Sequence, residues 1–176
     1  LVQIEIEESI SPLILKAVAD RVGEIGIFGG GVPSPDLRIL PYREDLLSVI
    51  VPKRHKLAGR RSIRFADVVD QDFVGLQAGS SIDALTGRAA GELGRSLKLR
   101  IRMTGFDPLC RMVEAGLGVG VVPESIAAHY ARTLAITRLA LDEPWSRRSL
   151  KLASYPSSSL TFASRLLLEH LANPDT

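Results

Sequence analysis

Short apolar runs of strand length alternate with stretches of helical periodicity almost throughout this chain, and that alternation is its strongest constraint on fold. A strand apolar on both faces needs cover on both sides, and helices between successive strands supply it, so the pattern predicts an α/β architecture of doubly wound sheets. The run Asp45 to Val51 (DLLSVIV), stopped by Pro52, is of this kind and reads as a central strand. Gly118 to Val122 (GVGVV), stopped by Pro123, is another.

At the start, Val2, Ile4 and Ile6 alternate with Gln3, Glu5 and Glu7, the period of a strand with one wet face. Ser11 before Pro12 reads as an N-cap with proline at the first helical position; Leu13, Ile14, Ala17 and Val18 form the apolar face, and Gly23 ends the helix. Glu24 to Phe28 is a second strand, followed by the turn cluster Gly29-Gly30-Gly31 and Pro33. Strand, helix, strand at this spacing predicts a βαβ unit with parallel strands.

Further on, strands are expected at 37–40, 45–51, 73–76, 99–103, 118–122, 135–141 and 149–154. Helices are expected at 65–70, from Ile82 with Leu85, Ala89 and Leu93 as its stripe, at 124–130 and at 160–171. A further helix, capped by Asp107-Pro108, carries Leu109, Met112 and Val113 and is closed by Gly116.

Composition narrows the function. With 176 residues, 45% of them hydrophobic, the chain can bury one core or two small ones. Its 22 Lys+Arg against 20 Asp+Glu leave +2, which gives no global drive toward nucleic acid. The basic run Lys53, Arg54, Lys56, Arg60, Arg61 and Arg64 lacks interleaved aromatics and reads as a solvated loop. No apolar run nears the roughly 18 residues of a membrane helix, and no basic-then-apolar leader opens the chain. The single Cys110 excludes an internal disulfide and fits a reducing, cytoplasmic setting; on its apolar helix it reads as a buried, inert thiol.

Catalysis finds no support. His55, His129 and His170 stand singly, without H-E-x-x-H, C-x-x-C or G-x-S-x-G patterns, so no metal, cofactor or catalytic residue is expected. The glycines of Gly116-Leu117-Gly118-Val119-Gly120 precede a strand instead of joining a strand to a helix, the wrong context for a dinucleotide phosphate.

Three segments share their order and wording with a known family. GFDPLCRMVEAGLGVGVVPE (Gly105 to Glu124) resembles the effector-domain signature of LysR-type transcriptional regulators: a loop, a helix ending V-x-x-G-x-G, then an apolar strand and proline. PKRHKLAGRRSIRFADV (Pro52 to Val68) is similar to the family's P-x-x-H-P-L-A with a short helix after it, and AVADRVGEIGIF (Ala17 to Phe28) to its helix, turn and G-x-x-D-I-G-I strand. Lys56 replaces a usual proline, Glu24 a usual aspartate, and Gly105 a common Ser or Thr.

The resemblance implies two Rossmann-like lobes joined by two crossover strands, like type II periplasmic binding proteins: 1–43 with 147–176 as lobe I and 44–146 as lobe II. It implies a small-molecule effector held between the lobes, and a homodimer or homotetramer that uses the strand Val2 to Ile6 and the helix after it. DNA would be met only through a winged helix-turn-helix domain missing from this sequence. The chain, which opens without an initiator Met, is accordingly read as part of something longer. A transport-type solute-binding protein with the same fold is the alternative, and an enzyme built on that fold a third reading.

In open α/β sheets ligands collect at the carboxyl ends of strands, where helix N-termini present backbone N–H groups and partial positive charge. Three loops suit that use: Ser9 and Ser11 in the first, Ala78, Gly79, Ser80 and Ser81 in the second, Phe106 and Asp107 in the third. Their serines either cap helices or hydrogen-bond a small carboxylate effector. Arg102 and Arg138, inside apolar strands, either face water or meet such an anion.

Overall fold

The computed structural model describes residues 3–30 and 36–173. The chain divides into two compact units, residues 1–44 with 149–176 (unit 1) and residues 45–148 (unit 2). It passes between them at Glu44/Asp45, inside β2 (Arg38–Pro52), and at Arg148/Ser149, inside β8 (Arg147–Ser154).

In unit 1, α1 (Ser11–Ala19) leads to β1 (Ile25–Gly29), which pairs antiparallel with β8 from Ile25 opposite Ser154 to Gly29 opposite Leu150. The C-terminal α5 (Phe162–Ala172) is capped by Thr161, whose hydroxyl accepts the Ser164 N–H at 3.2 Å. Leu15, Phe28 and Ala153 form one small core, and Leu152, Leu160 and Leu168 another.

Here the structure corrects three expectations. Residues 3–10 form no regular element, and Ile4 and Ile6 are exposed, so the alternating start does not make the first strand of a βαβ unit. Alternation favours a strand, but a strand exists only when a neighbour takes up its backbone N–H and C=O groups. Val2, and residues 31–33 of the expected glycine and proline turn, lie outside the described residues. The helix α1 ends before Gly23: the N–H groups of Arg21 and Val22 bond back to Val18 and Ala17 at 3.0 and 2.9 Å, with Arg21 at φ +61° in the position glycine usually takes. Finally, the strands expected at 37–40 and 45–51 are one 15-residue strand, β2. The polar stretch around Pro41 to Glu44 broke the apolar pattern without breaking the extended backbone.

Unit 2 holds the larger core, and the distal half of β2 runs through it with Leu47, Val49, Ile50 and Val51 at most 2% exposed. It pairs antiparallel with β6 (Gly120–Pro123) on one side and β7 (Ile136–Leu141) on the other, and β3 (Ser62–Ile63) adds parallel to β7. A single 3₁₀ turn at Phe65–Asp67 replaces the longer helix expected there. It places Phe65 edge-on to Trp145 at 5.2 Å and against Phe73 at 6.1 Å. The pair β4 (Asp72–Leu76) and β5 (Lys98–Met103) is parallel, with α2 (Ser81–Glu92) and α3 (Phe106–Glu114) following each strand; α4 (Glu124–Tyr130) follows β6.

Helices α2 and α3 end on glycine motifs. Gly116 (φ +79°) donates to Val113 O at 2.9 Å and Leu117 N–H to Met112 O at 3.1 Å, and Gly94 and Arg95 repeat the motif after α2. Within α2 the buried face is Ile82, Thr86, Ala89 and Ala90; Leu93, expected on the stripe, is the exposed C-cap. The strand expected from Gly118 begins at Gly120, since Val119 instead bridges Phe73 in parallel. No helix among the described residues is long and apolar enough to cross a membrane.

Candidate functional site

Because β4 and β5 are parallel, with Leu76 opposite Met103 and Gln77 N–H donating to Met103 O at 3.0 Å, the loops that leave them lie side by side. The second and third sequence-predicted loops therefore share one edge of unit 2. The first, with Ser9 and Ser11, belongs to unit 1.

The second loop is the most elaborately built. Gly79 adopts φ +83°, which turns the chain into α2. Ser80 is the N-cap: its hydroxyl accepts the Asp83 N–H at 3.1 Å, while the Asp83 carboxylate accepts the Gly79 N–H at 3.2 Å. Asp83 is held in turn by Arg102, at 2.6 Å, whose guanidinium also donates to Leu76 O at 3.2 Å. Helix geometry leaves the N–H groups of Ser81 and Ile82 without an acceptor inside the helix.

Against this helix start lies a guanidinium that the sequence reading missed. Arg148 Nη1 donates to Ser81 Oγ at 3.0 Å and Nη2 to the Asp45 carboxylate, forming an ion pair whose side chains are only 10% and 14% exposed. Its Nε is enclosed and has no hydrogen-bond partner among the described residues. A buried polar atom left unpaired costs about 1–3 kcal/mol, more on a charged group, so this donor set is incomplete as it stands. A faint signal was present in the sequence. Asp45 shares strand parity with Leu47, Val49 and Val51, and Arg148 with Leu150 and Leu152, so each charge falls in step with apolar neighbours.

The other predicted residues are engaged elsewhere. Ser11 is not the cap of α1. Ile10 occupies that place, and the buried Ser11 hydroxyl accepts the Gly29 N–H at 3.2 Å, tying α1 to β1. Ser9 is half-buried in the irregular stretch before it. At α3 the cap is Gly105, at φ +94°, a conformation that favours glycine over the family's usual Ser or Thr. Asp107 is thereby inside the first turn, and its carboxylate takes the Arg111 Nε–H at 3.0 Å; that bond, more than the further one from Tyr130, holds its pKa below the ordinary carboxylate value. Phe106 packs half-buried against the core of unit 2.

Arg138, like Arg102, pairs with a carboxylate of its own unit, Glu124. Part of the basic run is also neutralised, by Arg60 to Asp67 at 3.2 Å. In the same turn His55 accepts the Leu57 N–H at 3.3 Å, and burial, then Lys56, lowers its pKa. A separate groove of about 210 Å³ in unit 1, between Arg38, Leu40, Pro41 and Arg165, Leu168, Glu169, contains none of the predicted residues. Among the described residues no group of three or more His, Cys, Asp or Glu is arranged to hold a metal ion.

Cys110 is fully buried on α3, and burial, with a smaller contribution from Asp107, pushes its thiol up to about 11 from an ordinary 9.0. The unfolded thiol ionises first, so this group's contribution to stability is intact below about pH 9 and lost as pH rises toward about 11. Iodoacetamide at pH 8 should leave the folded protein unlabelled and modify it only as fast as it unfolds. Prompt labelling would contradict this burial.

With the geometry in view, residues 1–174 match the family model described as the LysR substrate binding domain, and the chain belongs to that family. Its fold is that of these effector-binding domains, a type II periplasmic-binding-protein-like α/β fold. A probable RuBisCO transcriptional regulator of Cyanophora paradoxa is 24% identical over 160 residues, 88% of this chain and 49% of the relative. Another, from Synechocystis, is 31% identical over 111 residues, 60% of this chain and 32% of the relative. The chain thus spans about half the length, or less, of these relatives.

Among solved structures, the effector binding domain of QuiR in complex with shikimate superposes with a TM-score of 0.81 at 21% identity, over 94% of this chain and 78% of that one. The Synechocystis PCC6803 CcmR regulatory domain in complex with 2-PG gives 0.82 at 18% identity, over 94% and 80%.

Proposed function

We propose that this chain is the effector-sensing domain of a LysR-type transcriptional regulator, and that its effector is a small anion, a carboxylate in the first instance, held at the start of α2. The observation that carries this is Arg148, a nine-tenths-buried guanidinium with an unmet donor, lying against the first turn of a 12-residue helix. Helix N-terminal amides and an arginine together favour carboxylate or phosphate oxygens. Ala78, Gly79, Ser80 and Ser81 would supply the loop and Phe106 an apolar wall. Asp107 would act through Arg111 and not on the ligand.

The solved neighbours bound to shikimate and 2-PG support an effector of this chemistry. In this reading the protein is a regulator and not an enzyme, works in the cytoplasm as a homodimer or homotetramer, and meets DNA through a separate N-terminal domain. The family match favours it over a transport-type solute-binding protein.

A thermal-shift screen of small organic acids, shikimate included, tests the site. A ligand present at 100 times its Kd stabilises by about 2.7 kcal/mol, which raises Tm by roughly 5–11 °C in a chain of this size. Ser81→Ala should remove most of that shift. Ser80→Ala should also reduce it, while lowering the ligand-free stability by about 1 kcal/mol through the lost cap. A shift of full size in both variants would place the ligand elsewhere.

A further inference from the structure

Arg148 and Asp45 hold a special position in the chain: Asp45 is the first residue of unit 2 and Arg148 the last. Their ion pair therefore ties together the two points where the backbone enters and leaves that unit, while the Arg148 bond to Ser81 attaches the same guanidinium to the first turn of α2. One cationic side chain thus serves both junctions and the helix start.

We propose that Asp45 is an internal competitor for the anion site: its carboxylate occupies Arg148 in the ligand-free protein, and an anionic effector at α2 draws Arg148 away from it. This rests on the α2 reading above. Of the five N–H donors of a guanidinium, one meets Ser81, another meets Asp45, and the Nε–H meets no acceptor among the described residues. An effector anion at the Ser81 and Ile82 amides that takes the unmet Nε–H would lie on the guanidinium edge that Nε shares with the Asp45-bound Nη2. It would then share Arg148 with the Asp45 carboxylate, and two anions around one buried cation repel each other. Each weakens the other's hold, so effector binding loosens the tie between the junctions, and the tie in turn sets the threshold for binding. The residue pair would select for anions and report their arrival to both connecting strands.

Inorganic phosphate is a suitable probe, titrated at fixed ionic strength and followed by NMR at the Ser81 and Ile82 amides and at the Arg148 Nε–H. Asp45→Asn, which keeps the shape and removes the charge, should bind phosphate about tenfold or more tightly than the wild type, and Asp45→Glu should not. Adding Arg148→Gln to Asp45→Asn should abolish the gain. Should Asp45→Asn fail to fold, the wild type alone decides: the Arg148 Nε–H resonance must move along with the α2 amides. Equal phosphate affinity in the wild type and Asp45→Asn, or α2 amides that move while Arg148 stays still, would overturn the competition and leave the α2 site standing. Amides unmoved by phosphate in both proteins would also overturn it, and the organic-acid screen would then judge the site separately.

Discussion

Replacing Gly118 with alanine should lower the stability of unit 2 by about 3 kcal/mol or more, the upper part of the range for forced overpacking. A Cβ at this position would stand 2.4 Å from the Asp72 carbonyl oxygen and 2.9 Å from its carbonyl carbon. Both obstacles are backbone, so no rotamer change relieves the clash. The same Asp72 oxygen accepts the Val119 N–H at 2.8 Å, and Val119 O accepts the Val74 N–H at 2.9 Å, so backing away would break the bridge between β4 and the lead into β6. Gly116, two residues earlier, has open space around its missing Cβ and needs glycine only for φ +79°. Gly116→Ala should therefore cost only about 1–2 kcal/mol. Thermal denaturation followed by the fluorescence of Trp145, the chain's one tryptophan, reads unit 2 directly. A Tm loss of roughly 6–12 °C is expected for Gly118→Ala, and about half of that or less for Gly116→Ala. Equal losses would mean that the close approach of Gly118 to Asp72 is not made.

The second large effect concerns the buried ion pair. Arg148→Met or Asp45→Leu alone should each destabilise by about 3–5 kcal/mol, because each leaves a charge enclosed without its partner. The double variant should return to within about 1 kcal/mol of the wild type, since two apolar side chains of similar volume replace two charges that had both lost their hydration. A double-mutant cycle isolates the coupling, and additive losses would show that the pair does not interact. The contrast is with half-exposed pairs such as Arg95 with Asp70 at 3.2 Å, where screening and side-chain entropy leave about 1 kcal/mol or less.

Most of the fold was legible because it rests on local signals. Apolar period and length gave the helix α4 and the strands of unit 2 other than the short β3, and Gly116 gave the end of α3. The reading failed where an element's existence depends on a distant partner. The alternating Gln3 to Ile6 stretch forms no strand, Pro41 did not split β2, and Arg21, with no sequence mark of a turn, took the left-handed position after α1. The site divides in the same way. Ser80 was readable as an N-cap from its place before an apolar stripe, and it caps α2. Ser11 looked the same in sequence, yet its hydroxyl serves the Gly29 amide across the unit.

The sequence by itself therefore determined the α/β class, the order of most elements of unit 2, the family through its three motifs, and the helix start at Ser80-Ser81. Capping, turn chemistry and side-chain period act over a few residues and leave their mark in any short window. Only the tertiary structure decided which charges meet. Asp45 and Arg148 lie 103 positions apart, on strands that both carry other charged residues, and no local pattern pairs them. What joins them is the route of the chain through β2 and β8. What makes the pairing matter is the burial that removes water from both, a property of the packed molecule and not of either segment.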